Sequence, residues 1–452
     1  MKALKIAFQD INSVMRFDGS YHLSEGTLYL KKLRKMPHED LDNLTSEIFT
    51  AGRSKRIYTD EKYGYPYLSN SDVVRQNPIG SCNYNSKKYG YDEPSFLKEG
   101  MIVTGRVGAI GQTAYITSEF EEFEAMGSDN IIRIVPKDKN KSGYIYSFLT
   151  SKFGNTLFWR LAAGGVQPYI SEDMLRDIPI PILSEFKQQQ IHNLIKEASI
   201  LRVEANRLLQ EGVAYFEELI GSTKVNLGFQ TGKLNSKSLN TFHKRLDGQF
   251  QLLWKDLKKE KKEGVNYFEI WSYAKSIFVG GRGKRLYTEK GVPFLSSSNM
   301  MLFNPKRDCK KVSKNTPGLQ TMMVSKYDIL ISRSGTVGNT ILVGDDLADT
   351  AISEHALRLV IDSKKISPKY VFCFLKTKYG MKCMEASSFG SVIITLNEDL
   401  IGNIELPVLE NNHQKIINDK VELYLQKMDE ATLKENQAIN QIENEIETWQ
   451  TS

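Results

Sequence analysis

The sequence contains an internal duplication, and this feature constrains the fold more than any other. The segment RIYTDEKYGYPYLSNSDV from Arg56 recurs 229 residues later as RLYTEKGVPFLSSSNM from Arg285, and RFDGSYHLS from Arg16 recurs at the same offset as RLDGQFQLL from Arg245. Three further blocks follow in the same order at offsets of 227 and then 226 residues: VTGRVGAIGQTAYI with LISRSGTVGNTILV, YIYSFLTSKFG with YVFCFLKTKYG, and VQPYISEDMLRDIPIPIL with VIITLNEDLIGNIELPVL. Two unrelated domains of similar composition would not preserve block order, and the period far exceeds that of a solenoid repeat. The sequence therefore predicts a duplicated domain.

Each copy has the pattern of a mixed α/β domain. Short apolar runs predict strands, and apolar and aromatic residues spaced three or four apart predict helices after them. The predicted strands are 101–104, 113–117 and 130–135 in the first copy and 328–332, 340–343 and 356–361 in the second. The predicted helices are 142–161 and 368–386. The two copies are therefore expected to share one fold.

A long amphipathic helix is predicted after each α/β copy. Ser184 is a suitable N-cap for the first helix, and Gly221 is a suitable residue just beyond its end. Apolar residues alternate at spacings of three and four in both helices, although Glu435 and Glu445 interrupt the second pattern. One compact domain cannot cover so long a stripe, so the helices are expected to pack together; packing of each along its own domain is the open alternative. The residues expected to pack are Ile191, Leu194, Leu201, Leu208, Ile417, Val421, Met428 and Ile442.

Composition excludes several classes of protein. The 60 Lys and Arg residues barely exceed the 54 Asp and Glu residues, so the net charge of +6 permits a polyanionic partner without requiring one. The 4 cysteines are scattered without a CxxC pair, which is typical of reduced, intracellular residues. No apolar run approaches the roughly 20 residues of a membrane helix, and polar residues interrupt the N-terminus too early for a signal peptide. A cytoplasmic protein without membrane contact is expected.

Motifs for catalysis or metal binding are missing from the sequence. The six histidines form neither HExxH nor HxH, and no P-loop is present. FVGGRG from Phe278 faintly resembles the glycine-rich loop of S-adenosylmethionine enzymes, but its counterpart FTAGRS has one glycine and no methyltransferase motif follows. Asp129 and Glu354 occupy corresponding positions, where a helix cap or a salt bridge is the simpler role. The sequence predicts a binding protein with no catalytic or metal-ligating residues.

Basic residues cluster in loops that both copies share. GRSKRIY at 52–58 and GGRGKRLY at 280–287 combine arginine, lysine, glycine and tyrosine, and serine- and asparagine-rich segments follow. Arginine binds phosphate or guanine in a forked geometry, and short polar side chains can bind phosphates or base edges. A third block places an arginine between glycine turns, where local pairing is the alternative role. The candidate DNA-binding residues are Arg53, Lys55, Arg56, Tyr58, Ser69, Asn70, Arg106, Gln112, Arg282, Lys284, Arg285, Tyr287, Ser297, Asn299, Arg333 and Asn339.

These segments resemble the specificity subunits of Type I restriction–modification systems. The resemblance rests on the LSxSx(M/D) segment after a proline and an aromatic residue, the (T/S)R-x-G-x-x-G turn, the I-x-(I/L)-P-x-L segment and the helix starts QQQI and HQKI. Every block is present twice, and the similarity covers essentially the whole chain.

The resemblance implies an α/β fold built by tandem duplication. A mixed α/β target-recognition domain is followed each time by a long spacer helix. The two helices are expected to form an antiparallel coiled coil, giving the chain pseudo-twofold symmetry. The implied boundaries are 1–183 for the first recognition domain, 184–222 for the first spacer helix, 223–409 for the second recognition domain and 410–452 for the second spacer helix.

The resemblance also implies a function. Such a chain is non-catalytic, recognises an asymmetric bipartite double-stranded DNA target, and positions two methyltransferase subunits and the restriction subunits. S-adenosylmethionine, ATP and Mg are expected on those partners and no cofactor on this chain. The copies differ after the serine segment, where QNPIGSCNYNSKKYGYDEPSF faces NPKRDCKKVSKNTPGLQTM, so unequal half-sites are expected. The alternatives are the specificity chain of a Type IIB-like nuclease–methylase complex and a coiled-coil scaffold that does not read DNA.

Overall fold

The computed structural model describes residues 8, 11, 16–108, 110–221, 248–334, 337–390 and 394–449. Several sequence-based assignments lie outside these residues: repeat residue Arg245, the predicted domain start at 223, the helix end at 222 and the terminal positions 450–452. The chain forms two compact units. The first unit comprises Met1–Val203 and Glu430–Ser452, and the second comprises Glu204–Asp429. Each unit therefore combines one α/β module, at 16–183 or 248–409, with a segment of each long helix.

The first α/β module contains two four-stranded sheets and a two-stranded ladder. One sheet is antiparallel in the spatial order Thr45–Thr50, Ile131–Pro136, Ile102–Gly105 and Thr113–Tyr115. The other has the order Tyr58–Thr59, Asn83–Ser86, Gly64–Leu68 and Met126–Gly127, and its last pair is parallel. His38–Asp40 pairs with Pro179–Pro181. The α-helices are Gly19–His22, Glu25–Leu33, Leu41–Leu44, Ser118–Glu122, Ser142–Thr150, Lys152–Leu161 and Glu172–Arg176.

The second α/β module repeats this arrangement. Its four-stranded sheet has the order Ala274–Val279, Ala356–Ile361, Ile329–Ser332 and Thr340–Leu342. Its second sheet has the order Lys310–Val312, Tyr287–Leu295 and Ala351–Ile352, and Asn266–Glu269 pairs with Glu405–Val408. The α-helices are Gly248–Lys259, Leu319–Met322, Pro368–Lys376, Lys378–Ser387 and Glu398–Gly402. The matching order of strands and helices confirms the predicted duplication of a mixed α/β fold.

The helix predicted over 142–161 is two helices, and so is the helix predicted over 368–386. Ser151 has an extended backbone (φ −60°, ψ 163°), and its hydroxyl accepts a hydrogen bond from Gly154 N, which caps a new helix. Thr377 caps the second helix of the other module by the same bond to Gly380 N. A Cβ on Gly154 would lie 2.3 Å from Phe148 O, so the sharp corner requires glycine. Apolar periodicity continues through the corner because both helices face one core, which is why one helix was predicted.

The two long helices span Glu185–Ile220 and Asn411–Thr448. Gly221 follows the first helix with a φ of +87°, the left-handed conformation predicted for its end. In the first unit, Lys187 pairs with Glu445 and Glu197 pairs with Lys434. Positions rise along one helix as they fall along the other, so the helices are antiparallel in this unit.

The second unit shows the same antiparallel pairing. Glu204 pairs with Lys427 at 2.6 Å, and Glu211 pairs with Lys420 at 2.5 Å. The predicted antiparallel packing of the two helices is therefore confirmed in each unit.

The long helices also pack on the α/β modules. Packing of the helices against each other and packing along the modules therefore occur together. In the first unit, Ile191 and Ile442 share a core with Tyr144 and Phe148. A Cβ on Gly143 would lie 2.9 Å from His192 O, so helix and module are in close contact there. In the second unit, residues of both long helices share a core with the module: Phe216, Ile417, Val421, Tyr370 and Phe374.

The buried stripe differs in detail from the apolar pattern of the sequence. Among the residues expected to pack, Ile191, Ile417, Val421, Met428 and Ile442 are buried, and Leu194, Leu201 and Leu208 are half-buried. On the first long helix the neighbouring positions are the buried ones: Ile195, Leu209 and Phe216. The sequence predicted that Glu435 interrupts the second stripe. In the structure its side chain is fully buried within that stripe, so the buried surface continues through this position.

Candidate nucleic-acid interface

In the basic loop of the first module, one arginine is held by neighbouring side chains and another is largely exposed. The Arg56 guanidinium donates to Asp129 Oδ1 at 3.0 Å and to the Tyr67 hydroxyl at 3.2 Å. These contacts raise the pKa of Arg56, the Tyr67 hydrogen bond contributing most. Arg53 approaches the same carboxylate at 3.3 Å, but its side chain is 88% exposed. Arg56 is therefore held by two side chains, whereas Arg53 has one contact and a largely exposed side chain that can reach a ligand.

The second module repeats this arrangement with different residues. Arg285 pairs with Glu354, and its guanidinium lies 4.8 Å from the centre of the Phe294 ring. Tyr287 contacts Phe294 edge-on with ring centres 6.4 Å apart. Tyr58 contacts Tyr67 in the first module with the same ring separation. The two acidic residues that could have been caps or ion-pair partners, Asp129 and Glu354, are therefore ion-pair partners of the basic loops.

A buried asparagine holds the first basic loop from behind, and sequence reasoning missed it. Asn85 Oδ1 accepts a hydrogen bond from Ile57 N at 2.7 Å, and its Nδ2 donates to Lys55 O at 3.2 Å and Gly90 O at 2.5 Å. A Cβ on Gly90 would lie 2.5 Å from Asn85 Nδ2. Asparagine is common in loops and turns, so nothing in the sequence marked this one as buried. The remaining loop candidates Lys55, Tyr58, Arg282, Lys284 and Tyr287 are exposed.

The serine-rich segments form matching turns. Ser69 N and Oγ donate to Asp72 Oδ2 at 2.9 and 2.6 Å. In the second module, Ser296 Oγ donates to Asn299 Oδ1 at 2.5 Å. Ser69 therefore stabilises the turn that carries Asn70, and Asn299 stabilises the turn that carries Ser297. Asn70 Nδ2 donates to Val107 O at 2.7 Å, which joins this turn to the one carrying Arg106, whereas Ser297 is half-buried at the position equivalent to Asn70.

The glycine-turn arginines differ in their contacts. Arg333 Nε donates to Leu396 O at 3.1 Å, so this side chain is tied to its own module. Arg106 is half-buried near Glu172. Burial alone would raise the pKa of Glu172, but the Thr50 hydroxyl and the Arg106 charge lower it. Gln112 and Asn339 are also half-buried, at the end of each turn.

Exposed tyrosines and lysines extend the first basic loop. Lys62 Nζ lies 5.4 Å from the Tyr63 ring centre, and Lys88 Nζ lies 5.0 Å from that of Tyr89. Both rings are more than half exposed. Aromatic faces beside ammonium groups can pack on sugars or unstacked bases while the charges approach phosphates.

The described residues contain no group of His, Cys, Asp and Glu able to hold a metal ion. No helix within those residues is long and apolar enough to cross a membrane.

The family of Type I restriction modification DNA specificity domains matches the sequence twice, over residues 45–207 and 281–444. The two matches cover the larger part of each α/β module and most of each long helix. The chain belongs to this family. It is a DNA specificity subunit of a Type I restriction–modification system, and specificity subunits of this family are non-catalytic.

Solved structures similar to this specificity subunit include the Type I S subunit from M. genitalium. It is 15% identical, with 91% of this chain and 94% of that chain covered and a TM-score of 0.35. The HsdS subunit from Thermoanaerobacter tengcongensis is 11% identical, with 91% and 95% covered and a TM-score of 0.29. A chain from a study of complex assembly and conformational transition of the type I R-M system is 12% identical, with 91% and 97% covered and a TM-score of 0.30. No curated protein matches the sequence.

Each module of the specificity subunit also contains a buried arginine that sequence reasoning missed. Arg133 is fully buried, and its guanidinium donates to carbonyl oxygens of Gly127 at 2.6 Å, Ile131 at 2.8 Å and Ser95 at 3.0 Å. Burial lowers its pKa to about 10. Arg358 donates to Met322 O at 2.9 Å in the second module. The signal was present as one arginine within each apolar strand, IIRIVP and ALRLVI.

Proposed function

We propose that this specificity subunit reads an asymmetric, bipartite double-stranded DNA target, one half with each α/β module. The observation that carries the proposal is the repeated ion pair, Arg56 with Asp129 and Arg285 with Glu354, at the base of each basic loop. The same support holds loops of different sequence, so the two modules offer different contact groups on equivalent frames. Different groups on equivalent frames are what unequal half-sites require.

The proposed complex contains two methyltransferase subunits and the restriction subunits. S-adenosylmethionine, ATP and Mg belong to those partners in this proposal, and the complex acts in the cytoplasm. The recognition domains span 1–183 and 223–409, and the spacer helices 184–222 and 410–452 set the number of unread base pairs between the half-sites. The family assignment supports these proposals.

Single-molecule methylation sequencing tests the proposal directly. DNA from cells that express this chain with its methyltransferase partner is expected to carry methylated adenines in one bipartite motif with two different halves. A catalytically inactive methyltransferase serves as the control. Methylation without a bipartite motif, or in two identical halves, contradicts the proposal.

A binding assay tests the contribution of the exposed loops. Arg53→Ala and Arg282→Ala remove one exposed cation from each loop. Each variant is expected to bind the methylated motif more weakly and to reduce the slope of log affinity against log salt by about one if the lost contact is to phosphate. Unchanged affinity of both variants places the interface elsewhere.

A further inference from the structure

Three polar residues lie inside the apolar helix packing of the first unit. Glu435 is fully buried, forms an ion pair of 2.8 Å with Arg202, and accepts a hydrogen bond from the Tyr146 hydroxyl. We call Tyr146, Arg202 and Glu435 the buried triad. It joins both long helices to the α/β module of this unit. A buried charge that loses its partner is strongly destabilising, so each member depends on the others.

Hydrogen bonds that occur in both units show which residues of the second unit correspond to the triad. Tyr144 donates to Pro181 O, and Tyr370, 226 residues later, donates to Pro407 O. These bonds set the offset for the module helices.

The same offset holds for the long helices. Lys152 N donates to the Glu443 carboxylate in the first unit, and Lys378 N donates to Glu217 in the second. Lys378 follows Lys152 by 226 positions, and Glu443 follows Glu217 by the same number. The correspondence therefore extends to the carboxyl-terminal segment of each helix.

The residues equivalent to the buried triad are apolar. At this offset Tyr146 corresponds to Phe372, Arg202 to Met428, and Glu435 to Leu209. Those three residues are buried together in the core of the second unit. The duplicated helix packing is thus polar at one layer in the first unit and apolar at the same layer in the second.

This difference penalises pairing between identical halves of two chains. If two first halves paired, Leu209 of the second copy would take the place of Glu435, leaving the buried Tyr146 and the 12% exposed Arg202 without their acceptor. If two second halves paired, Glu435 of one copy would lie against Phe372 and Met428 with no cation. Only the pairing of a first half with a second half gives Glu435 its cation and Tyr146 its acceptor.

Three interhelical ion pairs with the opposite polarity to Arg202–Glu435 also favour pairing of the first long helix with the second. Glutamate lies on the first long helix and lysine on the second in the pairs Glu197–Lys434, Glu204–Lys427 and Glu211–Lys420. The residues of the first helix that correspond to the three lysines are Leu208, Leu201 and Leu194. Two first helices would therefore place these glutamates against leucines. These pairs are partly exposed and screened by salt, so the buried triad is the stronger discriminator.

We infer that the buried triad is a pairing-specificity device: it directs the first long helix to the second helix of a chain and excludes a second copy of the same half. Polar residues at single buried positions fix partner and register in coiled coils in this way. The device keeps two different recognition modules in one assembly. Its action does not depend on DNA binding.

The test uses the full chain with a protease recognition sequence inserted between residues 222 and 247. The purified chain is cut, unfolded in denaturant and refolded, and native mass spectrometry separates mixed pairs from same-half pairs by mass. The cut wild-type chain is expected to form mixed pairs in more than about a hundredfold excess. The variant Y146F/R202M/E435L, which copies the second unit's residues, is expected to raise the same-half fraction at least about tenfold.

A matched control removes a different interhelical ion pair of the same unit. The variant K187M/E445L lacks a partly exposed pair and is expected to retain the wild-type excess of mixed pairs. An unchanged excess in Y146F/R202M/E435L overturns the inference, and so does an equal effect of the control.

Thermal unfolding of the uncut chain gives a second test that does not require refolding of halves. E435L alone leaves the largely enclosed Arg202 without its carboxylate and is expected to lower the Tm by about 5–10 °C. Y146F/R202M/E435L is expected to unfold above E435L, because no charge is then left unpaired. A triple variant less stable than E435L contradicts the coupling on which the inference rests.

Discussion

Arg56 and Asp129 form an ion pair of 3.0 Å at the base of the first basic loop, and the carboxylate is 15% exposed while the arginine is 47% exposed. Two roles of this carboxylate predict opposite effects on DNA binding. As a bare negative charge near DNA, Asp129 would repel phosphates. As a positioning residue, it would hold the Arg56 guanidinium in a geometry suited to the ligand.

Asp129→Asn is expected to weaken DNA binding. The substitution removes a negative charge, but it also leaves Arg56 held by Tyr67 alone and Arg53 without its carboxylate, so more of their ordering must be supplied on binding. We expect a loss of about 1 kcal/mol, or roughly fivefold in Kd, measured by titration of the specific duplex at fixed salt. Asp60→Asn, at an exposed carboxylate of the same module, is the control and is expected to leave affinity unchanged or raise it. Tighter binding by D129N would show that Asp129 acts only as a repulsive charge.

Asn85→Val is expected to loosen the first basic loop without disturbing the second. Valine stands at the equivalent position, Val312, so the side chain suits the strand. The three hydrogen bonds that Asn85 forms with Ile57 N, Lys55 O and Gly90 O would be lost, and those backbone groups would have to bind water instead.

Hydrogen exchange measures this effect locally. Peptides covering residues 52–58 are expected to exchange faster in N85V, and those covering 280–287 to be unchanged, since the second loop has no such asparagine. Unaltered exchange at 52–58 would show that the basic loop is held by the Arg56 ion pair alone.

Sequence periodicity predicted the elements whose environment is uniform along their length. The end of the first long helix at Gly221 and the strand 356–361 followed from local pattern and capping chemistry. It failed where tertiary contacts decide. Ser151 turns the chain between two helices that face one core, so apolar spacing alone could not reveal the break.

The candidate site was predictable in its charges but not in its supports. The basic loops stood out because arginine and lysine recur beside glycine in both copies. Asn85, Arg133 and Glu435 act through long-range contacts, with Lys55, Ser95 and Arg202 respectively, and each is polar in a buried place. A single sequence reads such residues as exposed or disruptive, because burial of a polar group is set by partners distant along the chain.

Arg106→Ala and Arg333→Ala are expected to impair different half-sites. If either arginine binds a guanine edge, its removal costs about 1–3 kcal/mol and relaxes the sequence preference at one position. Because Arg333 Nε already donates to Leu396 O, R333A is expected to lower thermal stability as well. Competition binding with single-base variants of each half-site measures the preference. An equal loss on all sequences would assign the arginine to phosphate contact.

His192 gives the first unit a stability that depends on pH. Gly143 N donates to His192 Nδ1 at 3.1 Å, a bond that only the neutral ring can accept. Burial, and then the charge of Lys196, lower the pKa of His192 below its usual 6.5. Since the unfolded chain takes up a proton more readily, the stabilisation is complete above about pH 6.5 and declines as the pH falls from there toward the folded-state pKa.

His192→Asn is expected to reduce this acid sensitivity. Asparagine occupies the equivalent position, Asn418. In H192N the Oδ1 of the new asparagine is expected to accept the Gly143 hydrogen bond without titrating. Between pH 6.5 and 5 the wild type is expected to lose stability more steeply than H192N, by at most about 1.4 kcal/mol per pH unit, in urea unfolding and in exchange of peptides containing Gly143. Parallel curves for H192N and wild type would show that His192 titrates alike in the folded and unfolded chains.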